Sequence, residues 1–406
     1  MQAVEDWKTE TLGRVARLTM GQSPDSRYYS EEENGLPFLQ GCAEFKGRFP
    51  KHLLYCSQAK KIATVGSILF SVRAPVARIN IADRDYIIGR GLAGISGIEV
   101  DQVYLEHYLT FVEPNFRNAS QGSTFEAINS SELNGWPIEH PVSKAEQAKI
   151  AEVLSTVDRA IEQTEALIAK QQRIKTDLMQ GLLTRGIDEH GNLRSEQTHQ
   201  FKDSPLGRIP VEWGVKRLWE GCDICNNLRK PIAALVREAM KGEYPYYGPT
   251  GILDYINEYR VDGKFVLIGE DGDHFLKFKT QEMTLLVNGR FNINNHAHIL
   301  RGKANVLTEW LHLFFLHRDI TLHLTRQGAG RFKLNKAALM ELPLIAPRDP
   351  SEQGRILHVM NTLRQNQIYS ISNLEKLKLK KTALMQDLLT GKKRITALLK
   401  KEAPAL

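Results

Sequence analysis

No stretch of the 406-residue sequence approaches 18 uninterrupted apolar residues, and the opening MQAVEDWKTETLGRV holds no apolar run of signal-peptide type. Neither a membrane-spanning helix nor a secretion signal is therefore expected, and the expected address is the cytoplasm. Cysteine is scarce. Cys42, Cys56, Cys222 and Cys225 are too few to staple a chain of this length, which excludes a disulfide scaffold. A strong charge of one sign is also missing, since the formal net charge is only +7. Residues 7–137 carry 14 basic and 14 acidic side chains, residues 213–347 carry 18 and 14, and residues 348–406 carry 12 and 5. A binder of polyanions by charge alone needs more basic globular parts, so any nucleic-acid affinity must come from base contacts or a positioning partner. At 42% hydrophobic and 25% charged residues the composition is that of a folded globular protein, which rules out disordered and collagen-like readings.

Catalytic signatures are missing as well. There is no GxxxxGK[ST] phosphate loop, no GxSxG elbow and no Asn-Pro-Pro-aromatic run of the adenine-methylase kind. GRGLAG at residues 89–94 matches GxGxxG in letters only, because ISGIEVDQV follows it where a dinucleotide site requires a helix. A turn with positive φ is expected there. Cys222 and Cys225 form a CxxC without a second pair, His296 and His298 form an HxH without a third ligand, and GEDGDH at residues 269–274 suits a polar turn between strands. No cofactor or metal site is expected in this chain, and no independent catalytic centre.

What the sequence does contain is a repeat at an offset of 206 residues. TDLMQGLLT at 176–184 returns as TALMQDLLT at 382–390, and the register from Pro141 and Pro347 onward holds 15 identities in 44 positions, where chance gives about three. The same offset pairs Trp7 with Trp213, Leu12 with Leu218, Gln121-Gly122 with Gln327-Gly328, and Pro137 with Pro343. From Ser143 to Gly181 neither proline nor glycine occurs, and apolar residues recur every 3.5 positions. Ile150, Leu154, Val157, Ile161, Ile168, Leu178 and Leu182 form one seam, interrupted by Thr164, Gln171 and Lys175. Ile356, Met360, Leu363, Leu374, Leu377, Leu384 and Leu388 form the other, interrupted by Gln367, Ser370 and Lys381. Two such seams in one chain most simply pack on each other. Ser143 with Glu146 three residues on predicts a capping box at the start of the first helix.

From Trp7 to about Pro141 the pattern is mostly strand-like, with short apolar runs punctuated by Gly, Pro and Asn and a helical stretch at residues 104–112. An α+β fold is predicted: two globular domains (1–142 and 213–347) alternating with two long helices (143–186 and 348–392) that form an antiparallel coiled coil. A linker (187–212) and a basic tail (393–406) complete the chain. Each helix of about 40 residues is roughly 60 Å long. The linker occurs once, so the halves form a cyclic pattern cut once, with the N-terminus expected near the end of the second helix. The residues left for function are polar, basic and aromatic side chains on the predicted loops. In the first domain these are Gln22, Ser23, Tyr28, Lys46, Arg48, Arg73, Arg78 and Arg90; in the second they are Tyr246, Tyr247, Lys277, Lys279, Arg290, Asn292, Asn294, Asn295, Arg331 and Lys333. Arg and Asn suit guanine and adenine edges, whereas Lys and Tyr suit phosphates.

At this point the organisation resembles the specificity subunit of type I restriction-modification systems. The resemblance is carried by WxxxxLG at residues 7–13, PFLQG at 37–41, SVRAPVA at 71–77 and IGRGLAGI, then by AEQAKI through DLMQGLLT. In the second half LGRIPVEW, GPTGILDYI, VLIGEDG, NINNHAHIL and SEQGRI through ALMQDLLTGKKR continue it. It implies two target-recognition domains, each reading half of an asymmetric bipartite site in double-stranded DNA, with the helices setting the spacing and docking two modification (methyltransferase) subunits. Restriction (translocase) subunits complete the implied complex, and S-adenosylmethionine, ATP and Mg belong to those partners. The rival readings are a coiled-coil scaffold binding protein partners only, and a self-sufficient methyltransferase, for which no motif speaks.

Overall fold

The computed structural model describes residues 6–120, 127–327 and 331–399. It divides into two compact units, Met1–Ala166 with Ile371–Leu406, and Leu167–Ser370. Four helices organise them: α1 (Gln102–Phe111), α2 (Lys144–Thr184), α3 (Thr308–Phe315) and α4 (Pro350–Leu388). Each unit owns part of α2 and part of α4 and pairs the two.

In the first unit, strand Trp7–Thr11 pairs antiparallel with Pro137–Pro141, Trp7 opposite Pro141. Strands Ile79–Ile81, Ile68–Ser71, Leu92–Gly97 and Ala16–Met20 form a four-stranded sheet, and a five-stranded sheet has Leu36–Leu39 at its centre. Apolar side chains of the first sheet meet α1 in a core of Leu12, Ile68, Phe70, Tyr104 and Leu105 that continues into Ile150, Leu154, Leu388 and Leu389. Burying each of these aliphatic side chains stabilises the fold by about 1.5–3 kcal/mol, so domain and helix pair share one core. Asp101 caps α1, its side chain accepting from the backbone N–H of Val103 and Tyr104.

The second unit repeats this frame at the same offset. Trp213 lies opposite Pro347. Gln147 bridges the Asp101 N–H (2.7 Å) and the Pro141 carbonyl (2.7 Å), and Gln353 bridges the Leu307 N–H (2.9 Å) and the Pro347 carbonyl (2.9 Å). Inside the frame the units part company, because the second holds one six-stranded sheet where the first holds sheets of four and five. The Gln121-Gly122 match lies outside the described residues, as does residue Gly328.

Every seam position of both helices is buried or half-buried, including the polar interruptions. Polar contacts cross between the two helices beside these positions. In the first unit the Lys381 ammonium pairs with Asp158 at 2.6 Å and Lys378 with Glu165 at 2.8 Å. In the second, Gln171 donates to the Ser370 hydroxyl at 3.1 Å and Gln367 to the Gln172 side-chain carbonyl at 2.7 Å. As α2 advances, its partners on α4 recede, so the helices run antiparallel within each unit.

The capping box is only half present. Ser143 accepts from the Glu146 N–H (3.4 Å), but the Glu146 carboxylate turns to Arg394, with both guanidinium contacts at 2.8 Å. Its repeat mate Glu352 takes Arg194 at 2.5 and 3.1 Å, and also accepts from the Trp213 indole and the Ile187 N–H at 3.2 Å each. Both clasps follow a helix end closed by a glycine of positive φ, Gly186 (64°) and Gly391 (68°). A Cβ there would meet Trp213 at 2.6 Å and Trp7 at 3.0 Å. Trp7 thus lies against the end of α4, the cyclic closure expected of the sequence. Among the described residues no helix is long and apolar enough to cross a membrane.

Candidate nucleic-acid interface

In the first unit four loops meet. The Gln22 N–H bonds the Ile88 carbonyl (2.9 Å), the Gly89 N–H bonds Leu39 (2.8 Å), and the Val72 N–H bonds Gly91 (3.0 Å). Ser23 donates to the Gln40 side chain (3.0 Å) and accepts from the Arg90 N–H (3.2 Å). Gly89 and Gly91 are not in the positive-φ region, contrary to the turn expected of them. They are needed for close approach, because a Cβ on either would lie 2.8 Å from Gln40. The cofactor-like string is therefore the floor of a loop cluster.

That cluster exposes Gln22, Arg73, Arg78 and Arg90, and Lys46 is exposed on a neighbouring hairpin. None of these four cations enters an ion pair among the described residues. Arg48 is different, because it reaches Glu106 of α1 at 3.4 Å. Tyr28 is half-buried with the Arg27 guanidinium 5.5 Å from its ring centre, while Asp25, beside Arg27, is held below the usual carboxylate range by that partner. Gln40, which joins three of the loops, was not singled out by sequence reasoning as a functional residue; the PFLQG run that contains it was the available signal.

The second unit gathers residues 226–230, 269–279, 294–296 and the hairpin of Thr325–Gln327 with Arg331–Lys333. Arg229 binds Glu270 (2.6 Å) and the Asn295 carbonyl (3.0 Å), His296 meets Asp271 (2.8 Å), and Lys333 lies 3.4 Å from Glu270. The acidic turn is thus an anchor for cations. An acidic run needs basic neighbours, which was the one sequence hint to Arg229. His298, wholly buried, bonds Asn226 (2.8 Å) and the Leu334 carbonyl (2.7 Å), and burial pushes its pKa down. Cys222 and Cys225 are free thiols, and no group of three or more potential ligands surrounds a metal position among the described residues.

Lys277, Lys279 and Asn295 are exposed on these loops, and so is Arg326, which sequence reasoning missed. Tyr247 is half-buried with its ring edge-on to Phe291, and Asn294 accepts from the His296 N–H (2.9 Å). Arg290 pairs with Asp262 (3.3 Å) over the Tyr259 ring, and that carboxylate raises its pKa. Tyr246, Asn292 and Asn294 correct the expectation of a surface role, since they are 1%, 1% and 8% exposed. The Tyr246 hydroxyl accepts from the Ile232 N–H and donates to the Lys230 carbonyl, and Asn292 donates to the Glu258 carbonyl. Their alternation with strand neighbours turns them inward. The Arg331 side chain lies outside the described residues.

One frame is used twice, with a different sheet and a different cationic loop cluster in each copy. A family model described as the type I restriction modification DNA specificity domain matches residues 4–171 and again 210–380, and the chain belongs to that family. It is 38% identical over 187 residues to a putative type I restriction enzyme specificity subunit, MjaX, of Methanocaldococcus jannaschii, covering 45% of this chain and 44% of the relative. It is 35% identical over 163 residues to the putative specificity subunit S.HindORF215P of Haemophilus influenzae, 40% of each chain. The chain thus spans less than half the length of these two curated relatives. A third, from Mycoplasma pneumoniae, is 24% identical over 355 residues, 84% of this chain and 85% of the relative. In fold it is similar to the S subunit of a type I restriction-modification system from M. genitalium, with a TM-score of 0.63 at 16% identity over 96% of this chain and 98% of the other.

Proposed function

We propose that each unit reads one half of an asymmetric, interrupted site in duplex DNA, and that the chain is the non-catalytic reader of a complex working in the cytoplasm. The observation that carries this reading is the pair of loop clusters, each with exposed cations that have no carboxylate partner among the described residues and each mounted on the same frame. Arg73, Arg78 and Arg90 in the first unit and Lys277, Lys279, Asn295 and Arg326 in the second supply groups for phosphates and base edges. Different loops on one frame imply different half-sites. The paired helices set the spacing between them and offer docking surface to two modification subunits, with restriction subunits joining the complex. S-adenosylmethionine, ATP and Mg act on those partners.

The test is methylome sequencing of cells with and without this chain. Loss of one bipartite methylated motif is the expected result; an unchanged methylome counts against the reading. In parallel, the assembled complex should bind that duplex selectively and with steep salt dependence, whereas a scaffold for proteins alone shows neither.

A further inference from the structure

Outside the loop clusters, the second unit has a groove of about 340 Å³. Its walls are apolar: Met179 and Leu183 near the end of α2, Leu206 of the linker, and Leu313 and Phe314 of α3. Arg318 lines it too. The guanidinium stacks 3.9 Å from the centre of the Phe314 ring and donates from Nε to the Phe314 carbonyl at 3.1 Å. No carboxylate pairs with it among the described residues. The nearest acid in sequence, Asp319, also lines the groove but is held by the Thr321 N–H (2.9 Å) and hydroxyl (2.6 Å). His317 is turned to the Phe278 carbonyl at 2.8 Å. Arg318 is half-buried, and burial pulls its pKa down to about 10.

The repeat shows that this is a departure from the shared frame. At the offset of 206 residues Arg318 corresponds to Val112, which is 6% exposed and packed in the first unit's core. Met179 and Leu183 correspond to Met385 and Leu389, both buried there, whereas here they are only half-buried. Close by in sequence, Leu322 is 97% exposed.

We propose that this groove is a docking site for one segment of a protein partner, apolar on the face that enters and carrying a carboxylate for Arg318, taken once per chain because the first unit has Val112 where this one has Arg318. Apolar walls around a single half-buried guanidinium suit a peptide face better than a phosphate backbone, which needs several cations in a wet groove. The inference rests on the reading of the chain as a subunit of a larger complex.

The full chain carrying Leu206→p-benzoylphenylalanine is co-expressed with its modification subunits, irradiated, and the adducts are sequenced. One protein adduct per complex is expected, at a segment with a carboxylate beside apolar residues. Arg318→Met should cut the adduct at least about tenfold, as for other interfacial charge pairs, while the Tm of the isolated chain stays level because the half-buried guanidinium has no ion pair to lose. Arg318→Glu should lose the adduct, and the reciprocal change of the partner's acidic residue to Lys should restore it. Adducts with DNA, no adduct, an adduct indifferent to Arg318→Met, or failure of the charge swap each overturn the proposal. Site-selective DNA binding is measured on the same complexes: if it persists while the adduct fails, only the groove is refuted; if it is itself absent, the DNA-reading proposal falls.

Discussion

Glu146 and Glu352 occupy equivalent places in the repeat yet carry different loads. Arg194 and Glu352 are both buried, and Glu352 also serves the Trp213 indole and the Ile187 N–H. Arg394 keeps 27% of its side chain exposed, and no indole bond accompanies it. Glu352→Ala leaves a buried guanidinium uncompensated, at a cost of about 3–5 kcal/mol. Glu146→Ala should cost less, because Arg394 can turn to water. Hydrogen exchange, followed in each unit separately because the two need not unfold together, should show the larger loss of protection in the second unit; equal losses would refute the ranking. Two histidines set a pH dependence. Burial pushes His107, beside Ser155, and His312, beside Thr284, down to about 4. The unfolded chain takes up these protons near pH 6.5 and the folded chain only near pH 4, so in that window the unfolded state binds more protons and stability falls as pH falls. The loss reaches about 3 kcal/mol per histidine at its lower end. Tm measured from pH 7 to pH 4 should therefore decline less in His107→Gln and His312→Gln than in the unmodified chain, once each is compared with its own value at pH 7.

At the scale of elements, the long helices were the most legible part of the chain, because a period of 3.5 over some 40 residues leaves strand and loop little room. The seam list from Ile150 to Leu388 lies wholly on buried or half-buried positions, and Gln171, Gln367 and Lys381 find partners in Ser370, Gln172 and Asp158. What periodicity could not express is a tertiary partner. Glu146 matched a capping box in spacing, and a guanidinium 248 residues away took its carboxylate instead. Gly89 and Gly91 were legible as glycines with a purpose but not as the floor under Gln40, since close approach depends on a loop 50 residues earlier in the chain. Tyr246 and Asn292 failed as surface candidates for the same reason: which face of a strand turns inward is set by the sheet that covers it. If the helices set the gap between half-sites, four residues inserted near Thr184 add about 6 Å, close to two base pairs. The methylated motif should then keep both half-sites and gain in spacing; a change in half-site sequence would contradict the ruler.

For the whole molecule, the repeat separates what must be common from what is free to differ. The strand registers Trp7 with Pro141 and Trp213 with Pro347, the bridging Gln147 and Gln353 and the two glutamate clasps all lie where the units leave and rejoin the helix pair. Between those joints the sheet topology and the cations displayed differ. The resemblance in motif order carried the family, but no rule of composition or spacing could tell which cations would end up unpaired. A modular protein of this kind predicts a modular response. Exchange of residues 218–342, from just after the Trp213 strand to just before its partner strand, for the same segment of another family member leaves both joints and the whole seam in place. The second unit's core must be kept by choosing a donor with apolar residues at the positions of Trp310, Leu311, Leu339 and Leu342, which face the helix pair's core. The hybrid, assembled with its modification subunits, should methylate a motif that retains one half-site of the original and replaces the other, at unchanged spacing. If both halves change, or spacing shifts while the helices are intact, sequence choice is not confined to the domains and the division of labour proposed for the chain is wrong.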